Sequence, residues 1–176
     1  MDFRDGMDGL TQLLDLEEFE AVELQEDRGH RLRRIAVIPR ASVGICPHCQ
    51  KATGRRQQIR ERVVRDLPWG LYATELVVRQ PQYHCPDCDR LFTPRFTALA
   101  ESAHATERFL ERLAALADHS DLKNASAFFS LPEKTLEHWY YAYLDRRTAT
   151  RSGQPIRSLG IDELSRKKNE VGTAAC

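Results

Sequence analysis

The sequence predicts an α+β protein in two small modules, and three observations carry that expectation. Cys46-Pro47-His48-Cys49 and Cys85-Pro86-Asp87-Cys88 are two Cys-x-x-Cys pairs with Pro in the turn, separated by 35 residues. The segments before and between them alternate polar and apolar residues as half-buried strands do. After Pro94 the apolar spacing changes to that of helices.

The paired cysteines set the first module. One Cys-x-x-Cys could be redox-active. Two of them supply four thiolates, the donor set of a closed tetrahedral Zn²⁺ site with Zn–S bonds of about 2.3 Å. Cys46, Cys49, Cys85 and Cys88 are therefore the expected ligands of a structural zinc, and the strand-like insert between them makes the module a zinc ribbon. His48 and His84 lie at the knuckles and could ligate, but four cysteines already fill the site. Cys176, the fifth cysteine, has no neighbouring thiol in sequence and reads as a free thiol.

Composition narrows the class. The chain has 176 residues, 41% hydrophobic and 30% charged, which suits a globular protein and not a disordered one. No run of 18 apolar residues is present and the acidic N-terminus has no apolar signal region, so neither membrane insertion nor secretion is expected. A reducing cytoplasm then favours metal over disulfide for the two pairs. The net charge of zero hides an asymmetry. Residues 1–27 carry one Arg against ten carboxylates, net −9, and residues 28–96 carry fourteen Lys and Arg against five, net +9. The basic block coincides with the cysteine pairs, and such a block attracts phosphate backbones.

The elements follow in order. Residues 1–16 read as a frayed start and a short helix with Leu10, Leu13, Leu14 and Leu16 on one stripe, capped by Asp8 or Thr11. Phe19 to Leu24 and Leu32 to Ile38 read as a β-hairpin around the Gly29 turn. A strand is expected near Ile59 to Val64, then a turn over Asp66-Leu67-Pro68-Trp69-Gly70, then a paired strand over Leu71 to Arg79. The exposed cations beside this hairpin, Lys51, Arg55, Arg56, Arg60 and Arg62, are the candidate DNA contacts of the ribbon. Thr106 caps a helix over 106–118, with Phe109, Leu113 and Leu116 on its apolar face, and Ser120 or Asp121 caps the next, burying Leu122, Ala125, Phe128 and Phe129. Ser130-Leu131-Pro132-Glu133 fits a capping box for a third helix reaching about Arg146, with Leu136, Trp139, Tyr140, Tyr143 and Leu144 facing the core. Two short helices after a longer one are the helix-turn-helix plan. Lys134, Thr135, His138 and Tyr141 lie off the core stripe and would face the major groove. The expected organisation is an N-terminal segment (1–16), hairpin and ribbon (17–96), helix-turn-helix (103–147) and a linker with one further strand (148–176).

In this order, the cysteine knuckles, the Arg65-Asp66-Leu67-Pro68-Trp69-Gly70 turn, the helix-turn-helix and Gly160-Ile161-Asp162-Glu163 resemble the N-terminal part of the ISL-three family of bacterial insertion-sequence transposases. The resemblance implies that ribbon and helix-turn-helix bind double-stranded DNA at the terminal inverted repeats of the element. It implies that Asp162 is the first of three carboxylates that hold two Mg²⁺ in an RNase H-like core. One aspartate cannot hold that pair; the other two belong further downstream than this sequence reaches, and the tail Asn169 to Cys176 departs from the strand pattern. The expectation is a truncated transposase, inactive alone and nucleoid-associated in a bacterial cytoplasm, with the full-length enzyme or a second copy as partner. Gln50, Asp89 and Ser130 stand where the family pattern favours Gly. Two other readings stay open: a promoter-binding regulator of the same build, and a zinc-ribbon protein–protein adaptor using Trp69, Tyr72, Trp139, Tyr140 and Tyr141. A nucleophilic enzyme is not expected, since the sequence has no nucleophile-turn motif and no Gly-rich phosphate loop.

Overall fold

A computed structural model of the chain describes residues 3–101 and 103–151. The chain opens with α1 (Phe3–Leu14), followed by β1 (Phe19–Asp27) and β2 (Leu32–Pro39). Two short strands, β3 (Gly44–Ile45) and β4 (Ala52–Thr53), enclose the first cysteine pair. The long strands β5 (Arg56–Trp69) and β6 (Tyr72–Cys85) lead to β7 (Arg90–Phe92), and three helices follow: α2 (Glu107–His119), α3 (Leu122–Phe129) and α4 (Glu133–Arg151).

The expected hairpin and the ribbon belong to one sheet, ordered β1-β2-β6-β5, with β7 pairing the end of β6. β1/β2 and β5/β6 are antiparallel, but β2 lies parallel to β6, Leu32–Val37 against Ala73–Val78. Its inner face buries Phe19, Ala21, Ile35, Val37, Leu76, Val78 and Val64 against Leu10, Leu14 and Leu16. A second core gathers Phe109, Leu110, Leu113, Ala125, Phe129, Leu136 and Trp139 from the three helices.

Several local expectations are corrected. The strand does not end at Asp66: β5 runs on to Trp69 with a register shift between Asp66 and Trp69, and the turn shrinks to Gly70-Leu71. Pro68 is tolerated because β5 is an edge strand. Gly70 carries φ +64, which other residues adopt at a cost. Thr11 is no cap but sits inside α1, where its hydroxyl accepts from the Ala21 N–H at 2.9 Å. Leu13 is 71% exposed and Phe128 65% exposed, so each helix buries a narrower stripe than its leucines and phenylalanines suggest. Thr106 and Asp121 do cap α2 and α3, accepting from the N–H of Phe109 and Asn124. Ser130 closes α3 and does not open α4: it is left-handed (φ 51°, ψ 48°) and its N–H points back to Ala127 and Ser126. That is the end-of-helix conformation for which Gly is usual.

One buried carboxylate joins sheet to helices. Asp66, 3% exposed, accepts from the Thr106 hydroxyl at 2.7 Å and from Arg108 Nε at 2.8 Å, and is paired with Arg108 Nη2. Arg108 Nη1 reaches on to the Leu14 carbonyl at the end of α1. Beside it, the N–H of Arg65 donates to the His104 carbonyl and the N–H of Thr106 to the Arg65 carbonyl. Removing one partner of a buried ion pair strands the other charge, at about 3 kcal/mol. Asp66→Ala is expected to lower the unfolding free energy of the zinc-loaded chain by about that much in urea titrations. A loss below about 1 kcal/mol, the range of exposed pairs, would contradict this placement.

Candidate metal centre and nucleic-acid interface

Each cysteine pair sits at the bend of a short antiparallel hairpin. Ile45 pairs with Ala52 around the first, and Cys85 with Arg90 around the second. The residue after each second cysteine, Gln50 (φ 59°) and Asp89 (φ 51°), is left-handed. The two knuckles thus share one bend although neither uses the expected Gly. In the first, the N–H of Gln50 donates to the Cys46 carbonyl and the N–H of Cys46 to the Lys51 carbonyl, both at 2.9 Å.

The hairpins bring Cys46, Cys49, Cys85 and Cys88 together, with all four sulfurs within 4.8 Å of one another. Cys46 and Cys88 Sγ are 3.6 Å apart, and Cys49 and Cys85 Sγ 3.4 Å. A disulfide needs about 2.05 Å. Four sulfurs at 2.3 Å from a tetrahedral centre lie roughly 3.8 Å apart. Spacing and donor chemistry fit a structural Zn²⁺ site.

The thiols are prepared unequally. Burial raises the Cys46 thiol, but the N–H groups of Cys49 and His48 outweigh it and bring it down to about 7. Burial and the sulfurs of Cys46, Cys85 and Cys49 push Cys88 up to about 12. The Lys51 N–H lowers the Cys49 thiol, yet the Cys85 sulfur and burial leave it raised. At neutral pH a set without metal holds protons at least on Cys49 and Cys88, and only a dication stabilises four thiolates together. The floor of the site is Tyr83 against Phe92, ring centroids 5.8 Å apart, closed by Gly44.

The candidate DNA contacts divide. Lys51, Arg55, Arg56 and Arg60 are exposed, as are Lys134, His138 and Tyr141, while Arg62 and Thr135 are half-buried. Lys51 Nζ pairs with Asp87 at 2.5 Å. Arg62 Nη2 donates to the carbonyls of Ala100 and Ala103 at 2.8 and 2.9 Å, which docks the ribbon on the helical module. Elsewhere in the basic block Arg33 pairs with Glu26, Arg34 with Glu75, and Arg79 with Glu23 and Glu61. Among the described residues Arg31, Arg40, Arg55, Arg56, Arg60 and Arg90 are exposed without a carboxylate partner, and Arg55, Arg56, Arg60 and Arg90 of these lie on or beside the strands next to the knuckles. Asp162 and Cys176 lie outside the described residues. Sequence reasoning missed Asp66 as a hub and Gly44 as the floor; neither carries a local signal, because both are defined by partners distant along the chain.

Metal centre, paired knuckles and long hairpin define a zinc-ribbon protein. Residues 42–88 match the family model described as the zinc-finger of transposase IS204/IS1001/IS1096/IS1165, so the resemblance read from the sequence holds over the ribbon. No curated protein and no solved structure is significantly similar to the chain. No helix among the described residues is long and apolar enough to cross a membrane.

Chelation is expected to unfold the ribbon, since zinc binding energy, on the order of 10 kcal/mol, is also folding energy. Unchanged circular dichroism of metal-free protein would refute the site. Zinc must displace at least two protons at neutral pH. Its affinity in dye competition should therefore fall about a hundredfold or more per pH unit below neutrality, and a pH-independent affinity would contradict the thiol assignments. A Cβ at Gly44 would lie 2.8 Å from Tyr83 Cδ2 and 3.0 Å from Phe92 Cε2. Gly44→Ala should cost about 1–3 kcal/mol by overpacking; a neutral result in urea titration would show that the rings give way.

Proposed function

We propose that the chain binds double-stranded DNA as the end-recognition part of an insertion-sequence transposase, at the terminal inverted repeats. The observation that carries this is the strip of unpaired arginines, Arg55, Arg56 and Arg60, on a segment matched to a transposase zinc finger. Phosphates supply the counter-charge these guanidiniums lack among the described residues. In this reading α3, the left-handed Ser130 and α4 act as a helix-turn-helix, with Lys134, Thr135, His138 and Tyr141 toward the groove. Its features in support are the eight-residue α3, the sharp turn and the exposure of Lys134, His138 and Tyr141 opposite buried Leu136 and Trp139. Binding to DNA would place the protein at the nucleoid.

A second reading, contact with another protein such as full-length transposase or a second copy, is favoured by one observation. Leu67, Pro68, Leu116 and the exposed Phe128 line an apolar groove of about 440 Å³.

Each phosphate contact contributes about 0.9 to the slope of log affinity against log salt. Arg55→Ala/Arg56→Ala is therefore expected to weaken binding to any duplex and reduce the slope by about 2 in fluorescence anisotropy. An unchanged slope, with zinc content and fold intact, would remove these residues from the interface.

A further inference from the structure

Resting on the DNA-binding reading, we propose that the far half of the β5/β6 hairpin is a two-stranded ribbon that enters the major groove and reads base edges through Gln58, Arg60, Gln80 and Gln82. The topology isolates this stretch. β2 accompanies β6 only as far as Val78, and β7 joins it only from Tyr83. Arg79 to Gln82 therefore pair with β5 alone, opposite Gln58 to Glu61. Pro81 lies in this stretch, where a missing N–H also discourages addition of another strand. Four residues per strand at about 3.4 Å give a ribbon about 14 Å long, a little under half a turn of B-DNA. Two strands about 4.8 Å apart fit a major groove about 12 Å wide, which admits a β-ribbon.

The two faces differ chemically. One carries Ile59, Glu61, Arg79 and Pro81, with Glu61 and Arg79 already paired to each other. The other sets Gln58 opposite Gln82 and Arg60 opposite Gln80, without a carboxylate among them. Arginine matches the O6/N7 edge of guanine and glutamine the N6/N7 edge of adenine, each by two hydrogen bonds. These side chains are held together before any DNA arrives. The Gln58 and Gln82 amides are hydrogen-bonded at 2.6 Å. In the alternative amide orientation, with its oxygen turned toward Arg60, Gln58 instead accepts from Arg60 Nε and Nη2, both at 3.0 Å, and no longer donates to Gln82. One end of the ribbon is fixed by the knuckles and the other by Arg62 on the Ala100 and Ala103 carbonyls, so its angle to the helices is set. Arg55 and Arg56, at the knuckle end, flank the face where the phosphates of the groove would run.

The test uses the zinc-loaded full chain. A duplex is selected from a random 20-base-pair pool, and affinities are measured for that duplex and a scrambled one. Gln80→Ala and Gln58→Ala/Gln82→Ala should each lose about tenfold or more on the selected duplex and little on the scrambled one. Their salt slope should not change, because glutamine carries no charge. Replacing the contacted purines by 7-deaza analogues should weaken the wild type and have no further effect on the variants. Variants that keep full discrimination, with native zinc content and melting, would overturn the ribbon assignment and leave the DNA-binding function standing. A wild type that discriminates no duplex would overturn the reading of base edges, and one that binds none would overturn the DNA-binding function as well.

Discussion

Four sulfurs within 4.8 Å of one another can all be thiolates only as ligands of a dication. Alone they would keep protons, with Cys88 held near 12 by its burial and its neighbours. With Zn²⁺ they tie two hairpin bends that lie 35 residues apart. That tie closes the far end of β5 and β6, where no third strand pairs with Arg79 to Gln82 and only Pro81 of these is buried. The metal thus replaces core packing where the protein most needs an open, polar surface.

The other end of the hairpin is held by protein alone. Asp66, Thr106 and Arg108 weld β5 to the start of α2 and the end of α1. Along the sheet between these anchors, acidic residues of β1 neutralise basic ones of β2 and β6, as in Glu26 with Arg33 and Glu23 with Arg79. Part of the −9 of residues 1–27 and of the +9 of residues 28–96 thus cancels within the sheet. Near the metal Lys51 still pairs with Asp87, but Arg55, Arg56 and Arg60 have no carboxylate partner among the described residues. Charge at that end is positioned by the fold, not merely abundant.

The knuckles, the long hairpin and the caps of α2 and α3 were legible because each is a local matter: Pro and Cys in one turn, Thr106 before an apolar stripe, Asp121 before another. The parallel pairing of β2 with β6 was not, since partners 41 positions apart leave no periodic trace. Ser130 was misassigned because a Ser three residues before a Glu suits a capping box, while the real constraint was the left-handed end of α3. Leu13 and Phe128 fit their helical stripes but stay mostly exposed. Of the site, the ligands were evident from spacing. Arg62 was not separable from Arg60, because only the tertiary fold presents two carbonyls to one and solvent to the other.

In the proposed function the zinc-tied ribbon presents its arginines to DNA at the ends of an insertion element. The most direct measurement is the affinity of the zinc-loaded chain for the terminal inverted repeats and for a scrambled duplex, with and without chelator. A preference for the repeats that disappears when zinc is removed is expected. Equal, weak binding to both duplexes, unaffected by chelation, would contradict it.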